Sequence, residues 1–465
     1  MERNFGDRKN KMMGKYFIPV VTIFLIVGVV FLLFTPDFER ENPKITLTTN
    51  EAWNVRDPLQ IEITDDGGLK SYKVTFEDPK GEIILDEKTL TETTNKINLS
   101  LNPPKFETMY KEKEVKITIE ATDNSRWNFF MGNSETKIYN LKVDTKSPNS
   151  VVINNSRYIS RGGSALVIVK VEDENLKNAY INFSDTTNFE LIPFYKPNHY
   201  AAIIAWDINI PFESFKGANV VAIDKAGNKS TAKIPLYIQD FPVKNDNLNI
   251  PQSFIDTVST NVLEQMNEDV PQDLTMRFVK QNRDLRAKNI ETIKKVSLEN
   301  LKKDMISDFK LDAFTRLQGS QTAAGFGERR HYFLDNQKID EAWHLGLDWA
   351  SVKQDSITIS NSGDVIFKEY LGIYGNTIIL NHGLGLGTLY AHTTSQFVNI
   401  GDKVTKNQKI ATTGITGAVL GDHLHFGVLV QGIEVNPIEW MDPNWIKTRI
   451  TDIIDASKPV IDQNP

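Results

Sequence analysis

HLGLDWA, His344 to Ala350, sets how the C-terminal third of this chain is read. Leu345, Leu347 and Trp349 alternate with His344, Gly346 and Asp348, the period-two pattern of a half-buried strand, so His344 and Asp348 share a face. GDHLHFG, Gly421 to Gly427, repeats the pattern: His423 and His425 go to one side and Leu424 and Phe426 to the other. Alternate residues on a strand lie roughly 7 Å apart, so one strand offers two imidazoles to one pocket. A catalytic zinc site takes three protein ligands from His, Asp and Glu and leaves its fourth position to water. His344, Asp348 and one histidine of the 423/425 pair fill that set. The other histidine of the pair lies within reach of water or a substrate carbonyl, where an acid/base residue belongs. YAH, Tyr390 to His392, brings a further histidine.

From about Phe326 to Trp440 the chain resembles the lysostaphin/LytM-type zinc endopeptidases, which cut peptide cross-bridges in bacterial peptidoglycan. The resemblance is carried by FGERR (Phe326–Arg330), HLGLD (His344–Asp348), the run from Tyr374 to Gly385, YAH, GDKVTKNQKIATTGITG (Gly401–Gly417) and GDHLHFGVLVQGIEVNP (Gly421–Pro437), six blocks in the family's order. It implies an all-β peptidase domain of duplicated hybrid motif, with a groove on one sheet. It also implies one zinc ion per chain held by His344, Asp348 and His425, with His392 and His423 as metal-free catalytic histidines. The expected reaction is hydrolysis of peptide cross-links in peptidoglycan. No pair of acid carboxylates of glycosidase type accompanies the site. Which of His392 and His423 is the general base stays open.

Weaker expectations attach to other residues. Arg329 either binds a carboxylate of the stem peptide through its planar fork or pairs with an acidic neighbour. Asn376 and Tyr390 are candidate groove residues. His382 is expected to be structural, His331 an exposed loop residue, and His199 has no assigned role. GDKVTKNQKIATTG also resembles the hairpins of biotinyl and lipoyl carriers, but no lysine here sits on a tight hairpin tip. The competing function is a non-catalytic relative that activates wall amidases. Such relatives lose zinc ligands, whereas all five positions are intact here. The last block looks closest to membrane-anchored members from Gram-negative bacteria, which favours a D,D bond over a glycine bridge and a periplasmic compartment.

The rest of the chain reads as carriage for that domain. Tyr16 to Phe34 contains no charged residue, and Arg3, Arg8, Lys9, Lys11 and Lys15 precede it. That pattern predicts an uncleaved transmembrane helix over 16–34 with residues 1–15 in the cytoplasm: a single-pass inner-membrane protein with the catalytic domain outside. Two β-rich regions follow, 43–146 and 147–242. DDGGLKSY (Asp65–Tyr72) matches DENLKNAY (Asp173–Tyr180), and Val115–Asn124 matches Ala218–Asn228, with Ala121 to Ala222 giving an offset of 222 − 121 = 101. The repeat predicts two immunoglobulin-like modules, either a spacer or wall-binding stalk or a structural repeat with no ligand, with Trp53, Trp127, Phe129 and Phe130 either docking on glycan or protein or packing in core and loops. Helical spacing over 250–316 predicts a connector of two or three amphipathic helices joined near Pro271, either a neck or an arm that covers the groove. The peptidase domain is expected at 317–445 and a tail at 446–465. A net charge of −7 without a dense basic patch argues against nucleic acid as partner. The partners expected are peptidoglycan, the inner membrane through the first helix, and regulatory proteins. Zero cysteines exclude disulfides and thiolate zinc ligands.

Overall fold

Alternating apolar runs broken by Gly, Asn and Asp become strands through most of the chain, and the helical spacing of 250–299 becomes helix. A computed structural model describes residues 9–33, 35–48, 52–106 and 110–463. The protein is mainly β. It divides into two compact units, Met1–Ser147 with Ile223–Asn228, and Pro148–Ala222 with Lys229–Pro465.

The first unit opens with the helix Lys9–Leu33, which contains Pro19. Among the described residues no helix is long and apolar enough to cross a membrane. This corrects the expectation of a transmembrane segment over 16–34, and with it the single-pass inner-membrane placement that rested on that segment. Of the cytoplasmic tail expected at 1–15, residues 1–8 lie outside the described residues.

The β-rich part of this unit forms one six-stranded sheet. Its longest members, Leu59–Asp78 and Gly81–Leu101, pair as a hairpin whose turn is closed by Asp78 Oδ1 accepting from the Lys80 amide at 2.8 Å. Ile61, Ile63, Val74, Phe76, Ile117 and Ile119 bury one face of the sheet. Strand Glu114–Asp123 ends in Asp123, which accepts from the backbone amide and the side-chain amide of Asn133, both at 2.8 Å. Strand Ala218–Asp224 ends in the same device, Asp224 accepting from the amide and the side chain of Asn228 at 2.8 Å. The Asp positions differ by 224 − 123 = 101, the spacing of the sequence repeat. In the first copy, however, Asn133 fills the role that the sequence alignment gave to Asn124, because a loop of residues 124–132 is inserted.

In the second unit, strands between residues 149 and 234 form two four-stranded sheets. Trp206 sits in their core, stacked on Phe212 and Phe215. The connector follows as the strand Lys244–Asn249, the helical segments between Gln252 and Gln265, and those between Leu274 and Glu299. Asp273 caps the second run by accepting from the Met276 amide. Lys244–Asn249 adds in parallel to strand Glu328–Leu334, which pairs with Gln337–Trp343. An eight-stranded sheet then carries, in order, 321–324, 347–350, 424–430, 386–391, 376–383, 363–370 and 403–404, with 433–435 beside 424–430. The last segment is helical through Asp452–Gln463, and it is tied to the 149–155 strand region by Ser156 Oγ donating to the Arg449 carbonyl at 2.6 Å.

Candidate active site

Strand Leu424–Val430 lies between Leu347–Ala350 and Leu386–Ala391, and this order builds the site. Asp348 stands opposite His425 across one ladder and Ala391 stands opposite His425 across the other. His344 enters just before strand Leu347–Ala350 and is fixed by two backbone bonds, its amide to the Glu328 carbonyl and its carbonyl to the Gly327 amide. His392 follows strand Leu386–Ala391 with φ +59°, a left-handed backbone that turns the side chain toward His425. The ring centroids of His392 and His423 are 4.8 Å apart, and those of His392 and His425 are 5.8 Å apart.

Three atoms converge. His344 Nε2 is 3.0 Å from Asp348 Oδ1, His425 Nδ1 is 2.8 Å from the same oxygen, and the two ring nitrogens are 3.2 Å apart. His344 Nδ1 lies 2.7 Å from the Gly325 carbonyl oxygen, which only accepts, so Nδ1 carries the proton and neutral His344 presents a lone pair at Nε2. That lone pair faces a carboxylate oxygen. Two acceptors at this distance repel unless a proton or a cation lies between them, so the donor set fits a metal ion. His425 Nε2 is buried without a hydrogen-bond partner, and a Cβ on Gly346 would come within 2.6 Å of it. Glycine is therefore required for the approach of the two strands.

Electrostatics favour the protonation states a metal needs. Burial pushes the His425 imidazole down to about 4 against the pull of Asp348, so it is neutral at neutral pH. Burial raises the Asp348 carboxyl, but His344 and His425 outweigh it and hold the carboxylate well below its ordinary range. His392 is pushed well below the ordinary histidine range, first by burial and then by His423 and His425. The other two imidazoles share a tautomer: His392 Nδ1 faces the Thr416 carbonyl and His423 Nδ1 faces the Gly421 carbonyl, each at 2.8 Å. Both rings thus keep Nε2 as a base, and His423 Nε2 is 3.7 Å from Asp348 Oδ1.

The five residues border a cavity of about 480 Å³. Its far wall comes from the connector and the strand before it: Leu248, Phe254, Phe278, Gln281 and Arg286 all line it. Beneath His425 the Tyr374 ring packs at a centroid distance of 5.6 Å, and the Tyr374 hydroxyl donates to the buried Glu434 carboxyl, 2.9 Å from Oε1 and 3.0 Å from Oε2. Glu434 was not anticipated from sequence, and the connector's place at the groove was one of two readings left open there. A lone carboxylate in the apolar run VLVQGIEV was the available signal, since a buried acid requires a partner.

The weaker candidates lie elsewhere. Arg329 pairs with Glu341 and stacks over Trp343, in a separate cavity. Arg330, its neighbour, is the one that lines the cleft. Tyr390 is buried in the sheet core against Phe426. Asn376 is half-buried, and its amide donates to Thr416 Oγ1 at 3.0 Å. His382 is held between the Ser362 carbonyl and Thr388 Oγ1. His331 faces Glu341 and Asn245. His199 is buried in the second β region.

Residues 342–437 match Peptidase family M23. Over 119 residues the chain is 33% identical to the DD-carboxypeptidase/endopeptidase Mpg of Neisseria meningitidis serogroup B, covering 26% of this chain and 26% of that protein. It is 33% identical over 96 residues to the peptidoglycan DD-endopeptidase ShyA of Vibrio cholerae, 21% of this chain and 22% of that protein. It is also 33% identical over 109 residues to the murein hydrolase activator NlpD of Salmonella dublin, 23% of this chain and 29% of that protein. The chain thus matches about a quarter of the length of these curated relatives. The converging imidazoles and carboxylate all lie inside the matched span, so the chain carries a C-terminal domain of the LytM-type peptidase family M23.

Proposed function

We propose that this protein is a zinc-dependent endopeptidase that hydrolyses peptide cross-links of bacterial peptidoglycan, with the D,D type of bond favoured. The observation that carries this reading is the convergence of His344 Nε2, Asp348 Oδ1 and His425 Nδ1 within 3.2 Å beside an open cavity. Those three residues hold one zinc ion. When bound, zinc supplies a Lewis acid that polarises a scissile carbonyl and makes water a nucleophile near neutral pH. His392 and His423 keep off the metal. A free Nε2 takes a proton from the attacking water, and the imidazolium so formed stabilises the developing oxyanion and passes the proton to the leaving amine. The Thr416 and Gly421 carbonyls hold both rings in the tautomer this needs. Ile293 of the connector is buried in one apolar cluster with Ile373 and Leu389, and Ile373 lines the cleft.

The two β regions, 43–146 and 147–242, are read as immunoglobulin-like spacers. The segment 250–316 is read as a connector that walls the peptidase domain of 317–445 and offers a surface to regulatory proteins. The relatives named as DD-endopeptidases support a D,D bond between D-alanine and the next residue as the target. The likeness to the activator NlpD favours a second reading, a non-catalytic stimulator of wall amidases. The presence here of a complete set of converging donors weighs against it. Metal analysis of the full chain after zinc loading, with Asp348→Ala beside it, tests the proposal. One zinc per wild-type chain and none in the variant is expected; equal zinc in both would overturn the assignment of the site.

A further inference from the structure

Arg330 stands apart from every other arginine of the cleft region by what it lacks. Its side chain is 21% exposed and lines the cavity beside Asp348 and His423. Its Nη2 lies 3.3 Å from Asp348 Oδ2, a long contact to a carboxylate whose other oxygen already faces two imidazoles. Glu328 is 3.9 Å away and is bonded more closely to Lys244, at 2.7 Å. Asp246 pairs with Arg330 across the parallel ladder and also lines the cavity. The Nε atom is buried and has no hydrogen-bond partner. By contrast, Arg329 is committed to Glu341, and Arg286 spends Nε and Nη2 on Asn282. A guanidinium carries five donors in a rigid fork suited to a carboxylate, and Arg330 has most of them unmet beside the residues that would hold the metal.

The chemistry of a D,D bond supplies the missing acceptor. The residue on its leaving side keeps a free α-carboxylate, three bonds from the carbonyl carbon under attack. The site that polarises the carbonyl and the group that binds the carboxylate must therefore lie a few Å apart, and Arg330 lies 3.3 Å from Asp348, one of the residues that would hold the metal. In a glycine bridge the same position is an amide, with no charge to offer. We propose that Arg330 is the specificity-determining residue of this cleft, binding the free α-carboxylate on the leaving side of the scissile bond and so selecting D,D bonds over internal amide bridges. This rests on the endopeptidase reading above.

The test compares two substrates on the zinc-loaded full chain: a stem peptide ending in D-Ala-D-Ala as the free acid, and the same peptide with that carboxylate converted to the carboxamide. The acid should be cleaved with a kcat/KM higher by about 10- to 100-fold, the range expected for losing one charge-assisted pair. Arg330→Gln should collapse that ratio toward one while retaining zinc by metal analysis, with the loss on the acid falling mainly in KM, and Arg330→Lys should restore part of the ratio. Equal cleavage of acid and amide by the wild type would overturn the proposal without touching the endopeptidase reading. An Arg330→Gln chain that loses zinc, or loses both substrates in the same proportion, would also overturn it and make Arg330 a support for Asp348. A wild type that cleaves neither substrate would remove the endopeptidase reading and this inference with it.

Discussion

Two corners of the protein bring three potential metal-holding residues together: His344, Asp348 and His425 in the peptidase domain, and Glu39, Asp65 and Asp123 in the first β-rich unit. They resolve their crowding in opposite ways. Asp123 spends Oδ1 on the amides of Ser125 and Asn133 and Oδ2 on the Asn133 side chain. Asp65 Oδ1 accepts from the Gly67 amide. Burial, a hydrogen bond to Asp123 and the charges of Asp65 and Asp123 push Glu39 up to about 7. A proton and the chain's own donors therefore satisfy this corner. In the peptidase corner the imidazole of His425 is neutral, the Asp348 carboxylate stays ionised, and His344 turns a lone pair inward. Among the described residues no N–H or O–H of another side chain stands between His344 Nε2 and Asp348 Oδ1, which face each other at 3.0 Å. A cluster of candidate ligands therefore says little by itself; unmet lone pairs aimed at one point, next to an open cavity, say much more.

The sharpest way to break the comparison is to remove one residue from each corner. Asp348→Ala should abolish zinc binding and lower peptidoglycan hydrolysis by on the order of 1000-fold or more. Asp123→Ala should leave zinc stoichiometry and activity per zinc unchanged. Zinc loss in the second variant would mean that the carboxylate corner also holds the ion. Next in size, His392→Ala and His423→Ala should keep zinc and lose roughly 100- to 10,000-fold in rate, the contribution of a positioned acid/base group. If His423→Ala loses zinc as His425→Ala does, the roles within that pair are reversed.

Smaller effects concern stability. Asp123→Ala leaves two buried amide donors and the Asn133 side chain without their acceptor, at a cost of about 1–3 kcal/mol measured by denaturant unfolding. No change would mean that the Asp–Asn device of the repeat is incidental. Glu434 gives the mildest signal. Burial raises its carboxyl from 4.5 to about 8 despite the Tyr374 hydroxyl, so the folded protein holds a proton there that the unfolded chain releases. Stability from this group is complete below about 4.5 and falls as pH rises through about 8. Glu434→Gln should flatten the decline of Tm over that window; an unchanged slope would show that another group carries it.

Much of the site was legible because strand alternation is a local rule. Asp348 and His425 lie on strands and the ladder brings them opposite each other, whereas His344 and His423 stand just before those strands and are placed by backbone bonds to Glu328 and Gly414. The same rule failed where parity was not known or was broken. FGERR offers two adjacent arginines, and only the register of strand Glu328–Leu334 decides that Arg330 faces the cleft and Arg329 faces Glu341. Tyr390 and His392 share parity, yet Tyr390 is core and His392 is in the site, because the left-handed backbone at His392 turns the chain. Helix was legible over 252–299, where apolar residues recur every three or four positions, but 300–316, expected in the same helical segment, holds none. Whether the connector is a neck or reaches the groove was open from sequence, because that depends on contacts such as Asn289 Oδ1 accepting from the Ile373 amide, 84 residues away. The first apolar run was read as a membrane span from its uncharged length and the basic residues before it, and among the described residues no helix is long and apolar enough to cross a membrane.

The central claim is that the histidine and aspartate corner, with zinc in it, cuts peptide cross-links. Purified cross-linked peptidoglycan digested with the zinc-loaded full chain and with the chelated protein, the products read by mass, tests it directly. The account predicts that cross-linked dimers become monomers through loss of one peptide bond, only in the zinc-loaded sample, with glycan strands intact. Dimers left unchanged by the zinc-loaded chain, while an added wall amidase is stimulated, would contradict it and leave the protein an activator.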